Sequence, residues 1–338
     1  MWDLHAVLSL VWAGLIAFGV LAYVVLDGFD LGVGILFLIE RERYDRDVMV
    51  NSVAPVWDGN ETWLVFGGVG LYAMFPLGYS VILPALYPVL IAMLLALILR
   101  GVSFEFRFRA TGAGQFWWDA AFCGGSTVAA FAQGLVLGGL LQGIHVVNDA
   151  YAGGWWDWLT PFTVVCGIAV VIGYTLLGSC WLIWRTEGAL QHRNRLYAGR
   201  LAAVTLALMV VVSLATPFLH PQYSRRWFSW PGILLTSPVP VLVAAIGLML
   251  RRGLRQNHQW TPLLCAELWF ALCFAGLGIS LYPLMVPPDI TIYQAAAPLL
   301  SQTFLIAGAA VIIPIILAYN AYAYWIFRGK VQPGTGYH

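Results

Sequence analysis

Long runs of apolar residues dominate this 338-residue chain. A transmembrane helix needs about 20 predominantly apolar residues, which a window of about 19 residues detects. Nine stretches qualify, at 6–39, 53–75, 79–99, 116–143, 158–184, 201–219, 231–250, 262–284 and 298–327. Only 10% of the residues are charged, against about 25% in soluble domains, so lipid must cover much of the surface. The sequence predicts an all-α integral membrane protein of about nine transmembrane helices, forming one polytopic domain over residues 1–338 without a soluble domain.

The first stretch is too long for a simple span, because its residues would reach about 50 Å as a helix. We expect one long helix, tilted or bent near Gly28, whose end projects from the bilayer. A break into two helices is the alternative. The second and third stretches are separated by a very short turn at 75–79, which Pro76 and Gly78 favour.

The distribution of basic residues predicts the orientation of the chain. With the N-terminus outside, all lysines and arginines except Arg225 and Arg226 fall on the inner side of the membrane. This bias follows the positive-inside rule, and a missed or added span would destroy it. We therefore expect an outer N-terminus and a cytoplasmic C-terminus.

Carboxylates inside the spans are the most informative residues, because intramembrane acids are costly and mark functional sites by default. On the predicted topology all of them lie on the cytoplasmic side, at Asp27, Asp30, Asp58, Glu61, Asp119 and Glu267. Asp27 with Asp30, and Asp58 with Glu61, have the i, i+3 spacing that places two side chains on one helix face. Two close carboxylates at low dielectric cannot both ionise cheaply, so such a pair holds a proton. This pattern predicts a proton relay that draws from the cytoplasm.

The second pair carries the stronger functional signal. Asp58 and Glu61 stand beside Trp57, Gly59 and Asn60, in a stretch too polar for contact with lipid. We therefore favour a functional role for these two carboxylates over a structural one.

The other four acids have structural alternatives. Asp119 is expected near the start of a helix, where the helix dipole favours an acid. Glu267 could pair with an arginine of a neighbouring inner loop. Asp27 and Asp30 flank Gly28, where a carboxylate could satisfy backbone donors freed by a bend.

The sequence predicts no catalytic or metal-binding residue in this chain. A membrane haem needs axial ligands at depth, usually His or Met. The histidines are instead expected at span ends, in loops or in the tail, at His5, His145, His192, His220, His258 and His338.

Two motifs resemble those of a known family. The segments VLDGFDLGVG at 25–34 and PVWDGNETWL at 55–64 are similar to the two signatures of subunit II of cytochrome bd-type quinol oxidases, cyanide-insensitive oxidases included. The resemblance implies a complex in the bacterial or archaeal cell membrane that oxidises quinol and reduces oxygen to water. It also implies a bundle resembling two four-helix bundles plus one peripheral helix.

The resemblance further implies the partners and cofactors of the chain. Two haems b and a haem d, or a third haem b, would be held by the larger subunit I, which this smaller subunit stabilises. Some members of the family hold a structural quinone in this subunit, and small single-span accessory subunits also occur.

The resemblance assigns roles to several residues. It implies a cytoplasmic proton entrance at Asp58 and a hydrophobic oxygen route near Trp63. Glu61 would pass protons on, and Asp27 and Asp30 would shape or hydrate the same entrance.

Two alternatives remain open. A proton-coupled secondary transporter also buries acids, but binds its substrate near the midplane between internal repeats. Here the acids avoid the midplane, and no repeat is evident. The second alternative is an oxidase subunit with a purely structural role.

Overall fold

A computed structural model describes residues 3–331 of the chain, so that the predicted tail residue His338 lies outside the described residues. The helices follow one another as α1 (Leu4–Leu36), α2 (Arg43–Val53), α3 (Trp57–Met74), α4 (Pro76–Arg109), α5 (Ala113–Gln142), α6 (Pro161–Arg185), α7 (Gly188–Ala215), α8 (Pro221–Phe228), α9 (Ile233–Thr236), α10 (Pro238–Arg255), α11 (Thr261–Leu281), α12 (Ile292–Ala295) and α13 (Leu299–Ile326). A 3₁₀ turn, Thr216–Phe218, follows α7.

Two short antiparallel hairpins interrupt the helical pattern that the sequence predicted. Strand β1 (Val146–Val147) pairs with β2 (Ala150–Tyr151) between α5 and α6, and β3 (Leu284–Val286) pairs with β4 (Ile290–Thr291) between α11 and α12. Both hairpins lie in connections between long helices. The fold is mostly helical, and the all-α prediction needs correction only at these two loops.

Each of the nine predicted stretches contains a long helix. Seven of these helices are long and apolar enough to cross a membrane, within the part of the chain that the structure describes: α1, α4, α5, α6, α7 with its 3₁₀ turn, α11 and α13. The remaining two, α3 and α10, have 18 residues each. The chain is therefore a multi-pass membrane protein, and the count of nine spans stays a prediction.

The long first stretch is a single helix. Helix α1 runs unbroken for 33 residues through Gly28, so the alternative of two helices is wrong. The turn between α3 and α4 is even shorter than predicted, because only Phe75 separates them and Pro76 opens α4. Proline is favoured in the first turn, where its missing N–H is not needed.

Helix α4 continues well past the predicted end of its stretch at residue 99. It runs to Arg109 and therefore includes Arg100 and Arg107, which the sequence analysis had assigned to an inner loop. Both side chains are buried, with 0% and 1% of their surface exposed. The helix can continue because each of these charges meets acidic partners on other helices.

The long helices pack into two closed rings. Helices α1, α3, α4 and α5 contact one another in turn, as do α6, α7, α10 and α11. The rings meet where α6 lies against α1 and α5, and α13 packs on the outside of α1 and α3. At the α1–α6 crossing, a Cβ on Gly32 would lie 1.8 Å from the carbonyl oxygen of Tyr174. Small residues allow such close approach between membrane helices.

A network of ion pairs joins α2, α4 and α5 at one end of the first ring. Asp119 accepts from Arg46 at 2.8 Å and from Arg107 at 2.5 Å, while Arg107 also reaches Asp47 at 2.6 Å. Asp119 is therefore structural, through ion pairs and not through the helix dipole as the sequence suggested.

Candidate functional site

The first acidic pair lies in the interior of the protein. Asp27 and Asp30 share one face of α1, as their spacing predicted, and both face Arg100 of α4. Nη1 of Arg100 is 3.3 Å from Oδ1 of Asp27, and Nη2 is 4.0 Å from Oδ2 of Asp30. All three side chains are 0% exposed. The charges of these acids are thus partly balanced by a cation that the sequence analysis had not connected with them.

Asn60 of α3 connects this buried group to α13. Its Nδ2 donates to Oδ2 of Asp30 at 2.7 Å and to the carbonyl of Leu26 at 3.2 Å. Its Oδ1 accepts from the hydroxyl of Tyr324 at 2.8 Å. The backbone carbonyl of Leu26 can only accept a hydrogen bond. The side-chain amide of Asn60 must therefore direct its N–H groups toward Leu26 and Asp30. Asn60 therefore supports a negative charge on the Oδ2 side of that carboxylate.

Aromatic rings cover Arg100 on its other side. Its guanidinium carbon lies 5.8 Å from the ring centre of Trp57 and 5.6 Å from that of Phe104. The two rings stack at 4.6 Å. A cation over an aromatic face is stabilised by the negative ring face. Trp57, the first tryptophan of the second motif, thus helps to hold Arg100 in place.

A second set of hydrogen-bonded polar side chains begins on the same face of α1. Tyr23 lies one helical turn before Asp27 and accepts a 2.8 Å hydrogen bond from Nε2 of Gln133. Tyr174 donates to Oε1 of the same glutamine at 2.7 Å. The ring of Tyr174 lies against Gly28, where a Cβ would come within 2.9 Å of it. Gly28 is therefore required for this packing; whether it also bends the helix stays a prediction.

The second acidic pair is nearer the surface. Asp58 is exposed and Glu61 is partly exposed, and neither makes an ion pair with any residue from 3 to 331. Between them Gly59 and Asn60 are buried. A Cβ on Gly59 would lie 2.7 Å from Oδ1 of Asn320, so this glycine allows α3 and α13 to cross. The motif therefore points its carboxylates outward and its small and amide residues inward.

Trp63 lies in an apolar part of the same helix. Its side chain is 0% exposed and meets Phe18 and Phe66 edge-on, at ring-centre distances of 5.5 and 6.1 Å. Its indole N–H is buried without a hydrogen-bond partner among the described residues. The surroundings of Trp63 are thus aromatic and apolar.

Several residues of this site were missed in the sequence. Arg100 was read as a loop residue because it follows the apolar run of α4. Gln133 and Tyr324 were not considered, although a single amide or hydroxyl within an apolar stretch signals an interhelical hydrogen bond. Glu267, for which an inner-loop arginine was one suggested partner, forms no ion pair within residues 3–331. No group of three or more potential metal ligands occurs among the residues that the structure describes.

Comparisons with known proteins identify the family. The family described as cytochrome bd terminal oxidase subunit II matches residues 8–327. The chain is 28% identical to cytochrome bd-I ubiquinol oxidase subunit 2 of Escherichia coli K12, over 97% of this chain and 96% of that protein. It is 27% identical to cytochrome bd ubiquinol oxidase subunit 2 of Bacillus subtilis, covering 95% and 96% of the two chains.

The fold agrees with this result. The structure of the bd oxidase from Geobacillus thermodenitrificans contains a chain that superimposes with a TM-score of 0.75 at 16% identity, over 95% of this chain and 98% of that one. The match extends well beyond the two motifs, through both helical rings. The chain belongs to the cytochrome bd terminal oxidase subunit II family.

Proposed function

We propose that this chain, as a subunit of a quinol:oxygen oxidoreductase, provides a proton entrance at Asp58. The supporting observation is the position of this carboxylate, which is exposed at the start of α3, two residues before the Asn60 that hydrogen-bonds the buried charge cluster. A proton taken up by Asp58 would pass to Glu61, one turn further along α3, and then to the haem-bearing partner, where oxygen reduction consumes protons. The proton-coupled transporter considered above finds no support in the comparisons.

The buried cluster supports this role through its charge. Two carboxylates face a single guanidinium, so an ionised cluster carries a net negative charge. The field of that charge favours the arrival of a proton at the neighbouring turn of α3. Asn60 lies between Asp58 and Glu61 and is hydrogen-bonded to Asp30, which links the entrance to the cluster. Asp27 and Asp30 thus shape the entrance without lying on the surface.

The oxygen route near Trp63 is a second part of the proposal. Molecular oxygen is apolar and partitions into apolar, aromatic surroundings of the kind that Phe18 and Phe66 form around this indole.

The proposal extends to the assembly. Subunit I would ligate two haems b and a haem d, or a third haem b, which together supply the electron transfer and oxygen reduction. The histidines that the structure describes lie at helix ends or in connections, which suits a chain that ligates none of these haems. A structural quinone and single-span accessory subunits are further components of this proposal.

The proposed topology follows the charge bias. All nine long helices would span the bacterial or archaeal cell membrane, with the N-terminus outside and the C-terminus in the cytoplasm. The two helical rings would then form two four-helix bundles, with α13 as the peripheral helix.

The test is an Asp58→Asn substitution in the purified complex. We expect an assembled oxidase with a wild-type haem spectrum and slower quinol-dependent oxygen uptake, because the amide cannot accept a proton. Glu42→Gln is the matched control, since Glu42 is exposed and its side chain makes no capping hydrogen bond. Full activity of an assembled Asp58→Asn complex would refute the proton entrance and leave the structural role.

A further inference from the structure

Arg185, the last residue of α6, is a buried cation without an acidic partner in residues 3–331. Only 5% of its surface is exposed, and its Nε is buried with no hydrogen bond. Its guanidinium carbon lies 5.4 Å from the ring centre of Trp181 and 5.8 Å from that of Trp184. Buried charges are normally paired, because an unpaired one keeps its full desolvation cost. The position therefore calls for an anion.

A second cation stands at the same end of α6. Nζ of Lys330 donates to the carbonyls of Ile183 and Thr186, at 3.3 and 3.0 Å. Burial lowers the pKa of Lys330; the nearby Glu187 raises it, and Arg195 and Arg185 lower it. The N–H of Val331 donates to the carbonyl of Arg185 at 2.9 Å, so Lys330 and Arg185 lie in one region.

Carboxylates do not neutralise this group within the described residues. Glu187 is exposed and forms no ion pair with either cation. The excess of positive charge is concentrated where a candidate span of 25 residues ends, at the level of the lipid headgroups.

We propose that Arg185 and Lys330 form a binding site for the phosphate of an anionic phospholipid. The planar guanidinium fork matches the geometry of a phosphate, and basic pockets between transmembrane helices recognise such headgroups. A lipid is favoured over free phosphate because Arg185 ends a helix that is long and apolar enough to cross a membrane. Phe327, three residues before Lys330 in the chain, is 42% exposed and can contact acyl chains.

The experiment uses the purified complex and native mass spectrometry of its retained lipids. Arg185→Gln and Lys330→Gln should each retain one anionic phospholipid fewer than the wild type. After delipidation, phosphatidylglycerol should rebind about tenfold more weakly to either variant, as expected for the loss of one charge-assisted hydrogen bond. Arg200→Gln is the matched control, because Arg200 is an exposed arginine of α7 and should leave lipid retention unchanged.

Two results would overturn the proposal. Equal retention and rebinding of phosphatidylglycerol by the wild type and both variants would show that the cations bind no lipid, as would be the case if a carboxylate of subunit I neutralised them. Displacement of phosphatidylglycerol by millimolar inorganic phosphate would show a site for small anions instead. Lys330 lies beyond the end of α13 and is partly exposed, so Lys330→Gln decides the question if Arg185→Gln does not assemble.

Discussion

Replacing Arg100 by glutamine would leave two buried carboxylates without their cation. With an effective dielectric constant of about 20, the attraction is about 5 kcal/mol for Asp27 at 3.3 Å and about 4 kcal/mol for Asp30 at 4.0 Å. Removing one partner of a buried ion pair typically costs about 3–5 kcal/mol, because the other charge stays buried. We expect Arg100→Gln to lower the thermal unfolding temperature of the complex markedly. Arg109→Gln on the same helix should have little effect, since Arg109 is 80% exposed.

The structure also predicts which second substitution rescues Arg100→Gln. Asp30 would keep its 2.7 Å hydrogen bond from Asn60, whereas no hydrogen bond of such geometry reaches the oxygens of Asp27, which interact with Tyr23 and Arg100. Adding Asp27→Asn should therefore recover more stability than adding Asp30→Asn, with a coupling energy of about 1–3 kcal/mol between Asp27 and Arg100. Intrinsic fluorescence during heating measures the unfolding temperatures of the wild type, Arg100→Gln and the two double variants, and so gives their order of stability. The reasoning fails if Arg100→Gln melts with the wild type, or if Asp30→Asn rescues it better.

Three further substitutions test the packing. Gly32→Ala should prevent stable assembly, because its Cβ would overlap the Tyr174 backbone, whereas Gly14→Ala has open space around it and should assemble normally; the yield of purified complex compares them. Asp119→Asn should lower the unfolding temperature by weakening two ion pairs, while Glu105→Gln, which breaks only an exposed pair, should not. Tyr324→Phe removes one hydrogen bond to Asn60 and should cost about 1 kcal/mol in the same assay; an unchanged melting curve would contradict that contact.

The membrane class was predictable because lipid imposes a simple requirement. A span must satisfy its backbone hydrogen bonds internally and present about 20 apolar residues, and both conditions are visible in the sequence. The boundaries were less predictable. The third stretch was ended at residue 99 because Arg100 follows it, yet α4 continues to Arg109. A hydropathy window ends a predicted span at an arginine even when that arginine is buried and paired. The window cannot detect the pairing, because the acidic partners lie elsewhere in the chain.

The candidate site was predictable in part for a similar reason. Helical periodicity places Asp27 and Asp30 on one face of α1, and the structure has them there. Periodicity does not show which face of another helix meets that stripe. The contribution of Arg100 depends on the packing of α1 near α4, and that of Asn60 on the packing of α3 against α1. Neither contact has a local signal in the sequence.

The position of Arg100 changes the physical role that the sequence suggested for the first pair. Two carboxylates alone in a low dielectric would share a proton, which is the property of a relay. A guanidinium beside both of them, with an amide N–H on Asp30, offsets part of the cost of burying their ionised forms. In the proposed entrance the two motifs would therefore have different parts. Asp58 and Glu61, which form no ion pair within residues 3–331, would exchange protons near the surface, while the buried cluster would favour their arrival to the extent that its carboxylates are ionised.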